Sequence, residues 1–350
     1  MFLPETEDQR LLRDSVARRL AAKPPASLAD LATLGCLAAA VPEDEGGLGG
    51  RAADVVPVCT ALGEAVAALP YVTRVLPPAA LLCHVTDPAA RAGLADALLA
   101  GEAIALAHQE NERSFDACEL PTARLNVEGR LTGTKRRVWH AAEASAFIVS
   151  ALAPDGMVLV RVEPGTPGVA LRPRHVASDL PWAEVAFEAA SAVVVVDAAD
   201  ASAALEHVAD FARVGMLAET LGLMRTAFED TRAWLATRRQ FGRTLAEQPV
   251  LQHRLVDMFI ALEEAQSMLN LAAHAFDHAE ANDRRETVAT ARVHVARSAR
   301  FVGQSAVHLH GAMGITEELA VARAYRRIET LGALFGGVED TLAQLAENLA

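Results

Sequence analysis

Two stretches of this chain carry residue types suited to holding an anionic ligand: Arg238-Arg239-Gln240-Phe241-Gly242 and His308-Leu309-His310-Gly311-Ala312-Met313-Gly314. A guanidinium makes paired hydrogen bonds to anionic oxygens that an ammonium cannot copy, so Arg238 is able to hold an anion. It sits where a helical pattern stops at Gly242, and the plainer role for such an arginine is to answer the negative end of the helix dipole. Small residues at Gly311, Ala312 and Gly314 let backbone amides approach a ligand closely. Gln248 offers an amide beside Pro249, a residue suited to the first turn of a new helix. Glu339 and Asp340 are carboxylates whose ordinary role is as helix-start charges before Leu342. Lys135-Arg136-Arg137 forms a basic cluster able to meet a phosphate.

Three kinds of sequence position these residues. Residues 1–102 read as a helical domain: Leu11, Leu12, Val16 and Leu20 recur at helical spacing, and Ser27-Leu28-Ala29-Asp30 has the pattern of a helix start. Val41 to Gly50, with four glycines, must be a loop, either a long turn or a close backbone approach to a ligand. Residues 103–204 change period, with strand-length segments at 103–107, 123–127, 131–138, 146–151, 157–162 and 192–196. Short connections between them predict an antiparallel sheet or small barrel. No GxGxxG follows a strand, which disfavours a Rossmann cofactor site. Residues 205–350 return to a helical period, with stripes such as Leu251, Leu255, Met258, Leu262, Ala265 and Leu269 that predict an antiparallel bundle.

The bulk properties exclude several classes. A chain of 350 residues that is 52% hydrophobic is globular. A net charge of −13 argues against nucleic-acid binding. Val193 to Val196 is the size of a strand, and no apolar run is long enough to span a bilayer. Cys36, Cys59, Cys83 and Cys118 show no CxxC spacing, and no signal peptide pattern opens the chain. Reduced, buried thiols, no metal site and a cytoplasmic location are therefore expected.

The two motifs, their helical setting and the helix, sheet, helix order resemble the acyl-CoA dehydrogenase family, and the resemblance covers nearly the whole chain. It implies a fold with an N-terminal α-helical domain, a middle antiparallel β domain and a C-terminal four-helix bundle. It also implies an FAD-dependent enzyme that oxidises an acyl-CoA and passes electrons to an electron-transfer flavoprotein. By the same resemblance Arg238, Gln240, Phe241 and Gln248 face the FAD of a neighbouring subunit. His308, Gly311, Ala312 and Gly314 lie along its ADP half. Ala312 stands where a glycine is common, and His308 where a glutamine is common. Gln109, Val138 and Trp139 fall where the sheet domain meets the flavin ring, although the usual Thr-Glu-Pro and Gly-Ser-Asp are absent there.

The family's chemistry needs a glutamate to take the α proton of the thioester. Its usual position corresponds to Phe335 in Leu334-Phe335-Gly336-Gly337, and phenylalanine accepts no proton. Some relatives place the glutamate just before an arginine matching Arg213, where this chain has Ala212. These substitutions make the chain resemble the short, base-lacking subunit of α2β2 acyl-CoA dehydrogenases of bacterial steroid breakdown. The alternatives are a self-sufficient homotetramer using Glu339 or Asp340, and a flavin-free structural homologue.

Overall fold

The computed structural model describes residues 6–22, 27–111, 115–117, 119–174, 180–240 and 242–347. Helices α1 (Glu7–Ala22), α2 (Leu28–Thr33), α3 (Ala52–Glu64), α4 (Tyr71–Arg74), α5 (Leu76–Leu81) and α6 (Pro88–Leu99) come first. Strands β1 (Ile104–Ala107), β2 (Arg124–Leu125), β3 (Arg130–Trp139), β4 (Ala146–Ala153), β5 (Gly156–Val162), β6 (Val169–Arg174), β7 (Trp182–Ser191) and β8 (Val193–Val196) follow. The long helix α7 (Ala201–Thr237) leads to the short hairpin β9 (Arg239–Gln240) and β10 (Arg243–Thr244). Helices α8 (Pro249–His278), α9 (Ala281–His310), α10 (Ala320–Gly332) and α11 (Val338–Glu347) complete the chain.

Contacts divide the chain into two compact units. One holds Met1–Ala26, Val55–Leu69 and Arg213–Ala350; the other holds Ser27–Asp54 and Pro70–Ala212.

In the second unit the strand order is β6-β7-β3-β2-β4-β5-β8, with β1 also pairing with β4. Most neighbours are antiparallel as expected, but β1 and β2 each run parallel to β4, so the sheet is mixed. The segments expected from their alternation are present, and β6 and β7 join them. Strand β6 carries Pro173 at the end of the strand order, an edge where a missing N–H is tolerated. In β7 the alternating Ala183, Val185 and Phe187 point into the core. The segment 123–127 pairs only at Arg124–Leu125, because the Asn126 side chain accepts hydrogen bonds from the N–H of Glu128 and Arg130 and turns the chain there.

Ser27 and Asp30 form a capping box at the start of α2, as their spacing predicts. The glycine loop folds on itself: a Cβ at Gly47 would lie 1.9 Å from the Val41 carbonyl oxygen. Gly47 therefore serves the turn itself. In the first unit α8 and α9 pack side by side as the core of the bundle. Among the described residues no helix is long and apolar enough to cross a membrane. Cys36 and Cys59 are buried, but Cys83 is exposed, contrary to expectation; Cys118 lies outside the described residues.

Candidate functional site

The turn joining α10 to α11 is shaped from beneath by two buried arginines. Arg213, on α7, donates from Nε (3.1 Å) and Nη2 (3.0 Å) to the carbonyl of Phe335. Arg292, on α9 and 2% exposed, donates from Nη2 to the carbonyls of Gly332 (3.2 Å) and Leu334 (2.6 Å). Together they hold Phe335 in a left-handed conformation, φ +48°, which a non-glycine residue adopts only where its surroundings enforce it. The Phe335 ring is 6% exposed. Burial pushes the Arg292 guanidinium down to about 9, the positive charge of Arg213 pushes the same way, and Asp340 opposes both.

This arrangement places an aromatic ring, not a carboxylate, at the tip of the turn. Ala212, at the other location considered, is fully buried and equally inert. Glu339 and Asp340 are exposed in the first turn of α11, and Asp340 Oδ2 accepts the N–H of Gly337 at 3.2 Å. Both line a cavity of about 530 Å³ whose walls include Met216, Thr220, Arg292 and Glu329. A reading by motif passes over Arg292, yet a signal exists. It falls on the apolar stripe Val288, Ala291, Val295, Ala299 and Val302, where a charge has no business unless the interior uses it.

The two anion-suited motifs, distant in sequence, are brought together at the far ends of α7 and α9. The Trp234 indole stacks on the His310 imidazole at 5.2 Å, and the Arg238 guanidinium lies 5.7 Å from the Trp234 ring centre. His310 is buried and donates from Nδ1 to the Ala306 carbonyl at 2.8 Å, a structural role. Around it Arg238, Arg239, Gln240, Arg243, His308, Gly311 and Ala312 are exposed. Gly314 is buried, and a Cβ there would lie 2.3 Å from the Val307 carbonyl oxygen, so only glycine lets the chain turn back over the helix end. Gln248 accepts from Arg243 Nη2 at 2.7 Å, just before Pro249 opens α8. Phe241 lies outside the described residues. Solvent-facing guanidiniums and the exposed backbone of Gly311 and Ala312 are hydrogen-bond donors of the kind an anion accepts from.

In the sheet unit Gln109 is buried next to β3, and its carbonyl accepts the N–H of Arg136 at 2.6 Å. Trp139 is half-buried and paired with Trp182, while the Val138 side chain packs in the sheet core and leaves only its backbone available. A bulge between Lys135 and Val138, with Arg137 at φ +48°, resets the alternation of β3. As a result Lys135 points inward and is fully buried, so the basic run 135–137 is not a single surface patch.

Lys135 Nζ donates to Glu110 Oε1 (2.5 Å), Ser150 Oγ (2.9 Å) and the His108 carbonyl (3.2 Å). Since Ser150 Oγ accepts from Lys135, its proton goes to His108 Nδ1, and His108 Nε2 donates to the Asp116 carbonyl at 2.7 Å. Burial pushes Lys135 down to about 8 and His108 down to about 4, the latter helped by the Lys135 charge. Burial alone would raise the Glu110 carboxyl, but hydrogen bonds from Lys135, Thr122 and the Ala123 N–H outweigh it and hold it low. No pattern in the sequence announces this network, because its members are scattered across β3, β4 and the segment after β1.

Residues 202–350 match the family model described as Acyl-CoA dehydrogenase, C-terminal domain. The chain is 26% identical over 325 residues to acyl-CoA dehydrogenase FadE27 of Mycobacterium tuberculosis, covering 90% of this chain and 86% of that protein. It is similar to a chain of the ChsE4-ChsE5 complex from Mycobacterium tuberculosis, with a TM-score of 0.83 and 25% identity over 100% of this chain and 99% of that one. Butyryl-CoA dehydrogenase from Megasphaera elsdenii, 21% identical, superposes with a TM-score of 0.88 over 100% of both chains, a likeness of fold. This chain has the acyl-CoA dehydrogenase fold, and its residues 202–350 match the C-terminal domain of that family.

Proposed function

We propose that this chain takes part in the α,β-dehydrogenation of a CoA thioester as the base-lacking member of an α2β2 hetero-oligomer. The observation that carries this reading is the buried Phe335 ring in a left-handed turn whose carbonyl is held by Arg213. A residue fixed in this way cannot swing aside for a neighbouring acid, and it has no proton acceptor of its own. The catalytic glutamate then belongs to a longer family member, the partner subunit. That the ChsE4-ChsE5 relative is a complex of two components supports the same reading.

In this role Arg238 offers its guanidinium to the diphosphate of an FAD held mainly by the partner, with Gln240, Phe241, Gln248 and His308 beside it. Gly311, Ala312 and Gly314 bring backbone close to the adenosine half. Gln109, Trp139 and the backbone of Val138 are the sheet domain's contribution near a flavin ring. Bound FAD would supply the hydride acceptor. Arg213 and Arg292 keep the 332–337 turn in one conformation, and Phe335 keeps water from it. Electron-transfer flavoprotein is the acceptor proposed for the assembled enzyme.

Co-expression with a longer relative that retains the glutamate tests the proposal. Flavin absorbance and acyl-CoA-dependent dye reduction in the pair, with neither in this chain alone, are expected. A yellow, active homomer overturns it. One observation favours that self-sufficient reading: Glu339 and Asp340 line the Arg292 cavity. Turnover by the isolated chain, abolished by Asp340→Asn or Glu339→Gln, would establish it. A colourless, inactive pair would point to the flavin-free homologue.

A further inference from the structure

The 3₁₀ turn Leu82–His84 and the second turn of α7 meet at three ligand-bearing side chains in the sheet-bearing unit. His207 Nδ1 lies 3.3 Å from Cys83 Sγ and 3.0 Å from His84 Nε2. All three atoms lie within 4.8 Å of one another, Cys83 is exposed, and both histidines are half-buried.

Hydrogen bonding explains part of this geometry, since Cys83 Sγ also donates to the Ala80 carbonyl at 3.4 Å. A single imidazole nitrogen holds either one proton or one lone pair, so Nδ1 of His207 serves one partner well in either tautomer, not two. Three ligand atoms of a thiol and two imidazoles within 4.8 Å of one another are also the arrangement of ligands around a cation. In tetrahedral zinc, with bonds of about 2.3 Å to sulfur and about 2.0 Å to nitrogen, neighbouring ligand atoms are about 3.3 to 3.6 Å apart. The two separations at His207 Nδ1, 3.3 and 3.0 Å, require only small shifts to reach that shape, and the third pair closes from within 4.8 Å. A thiolate with two imidazoles is a borderline-soft set that selects zinc over magnesium or calcium.

We propose that Cys83, His84 and His207 form a zinc site, bound through Sγ, Nε2 and Nδ1, with water completing the tetrahedron. Binding releases the Cys83 thiol proton to solvent, and both imidazoles ligate in the neutral form. The spacing rules for zinc motifs miss the site because one ligand comes from a different element, far along the chain.

Cobalt(II) titration of the chelator-stripped full-length chain tests the site. The expected result is one cobalt per chain, with a thiolate-to-cobalt charge-transfer band in the near ultraviolet that zinc bleaches. C83S should abolish the band, and H207Q should weaken zinc binding at least about tenfold, roughly the loss that follows even an outer-shell change. In the unsubstituted chain, zinc should slow alkylation of Cys83, read by peptide mass, whether or not the variants fold. A band that survives C83S, zinc affinity unchanged in H207Q, or alkylation of Cys83 indifferent to zinc overturns the proposal.

Discussion

Buried positive charge is treated in two ways in this molecule. In the sheet unit, Lys135 meets the Glu110 carboxylate, Ser150 and a carbonyl, so its charge is answered within hydrogen-bond distance. In the helical unit Arg327 is likewise answered by the buried Glu219 carboxylate at 2.6 Å, whereas Arg292 is held by backbone carbonyls and a sulfur contact to Met216. Its Nε finds no acceptor, and Arg213 adds a second guanidinium nearby. A neutralised cation of the first kind stabilises a core. One answered mainly by carbonyl dipoles keeps its field and also fixes the backbone that supplies them. The turn it fixes is the one that carries Phe335.

The largest effect expected from this contrast comes from breaking the neutralised pair. Lys135→Met leaves Glu110 without its buried counter-charge and should cost about 3 to 5 kcal/mol in denaturant unfolding. Adding Glu110→Gln should recover part of that loss, because the stranded charge, more than the missing contact, is the main penalty. If the double variant is no more stable than the single, the pair is not what closes this core.

The same network predicts sensitivity to acid. His108 titrates near 4 in the folded chain, below its ordinary value of 6.5. Between those values the unfolded state binds the extra proton, so stability falls as pH drops through that window. At about 1.4 kcal/mol per unit the loss approaches about 3 kcal/mol. Glu110, held low by its partners, extends the decline to more acid pH. His108→Gln should flatten the slope across the window between the two values, in urea melts repeated over that range, and an unchanged slope would assign it to other groups.

How far the sequence foretells these centres depends on how local their causes are. The capping box at Ser27, the long stripes of α8 and α9 and the helix start at Pro249 are set by neighbours a few residues away, and all are readable. Gly311 and Gly314 read as an anion turn, and the structure gives Gly314 a nearer duty under Val307. Lys135 reads as part of a basic patch because the bulge that turns it inward depends on the pairing of β3 with β7, which one strand's sequence does not reveal. Strand β7 escapes a reading by pattern although Ala183, Val185 and Phe187 alternate correctly, since Glu184 and Ala186 between them are weak strand formers. Cys83 and His207 are joined only by tertiary packing.

Replacing the carbonyl-bound cation should cost less than replacing the paired one. Arg292→Met removes two charge-assisted hydrogen bonds but also a desolvated charge that burial already disfavours, so about 2 kcal/mol is expected. The more telling readout is local: amide exchange of residues 333–337 should accelerate more than that of the rest of the bundle. A uniform change would mean that Arg292 props the helices apart or together and does not specifically hold the turn.

The smallest effect on the fold should come from a third kind of cation, the exposed one. Arg238 is open to solvent, with a ring contact to Trp234 worth about 0.5 to 1 kcal/mol at such a site. Arg238→Gln should therefore shift unfolding by less than about 1 kcal/mol. In the co-expressed pair, however, the same change should lower the flavin recovered per complex, and Arg238→Lys should restore it only in part, because an ammonium keeps the charge but not the paired hydrogen bonds. A buried cation reveals its purpose through stability. For an exposed one, indifference of the fold combined with loss of ligand is the signature that separates a binding group from an ordinary helix-end charge, and flavin content unmoved by Arg238→Gln would return Arg238 to the latter class.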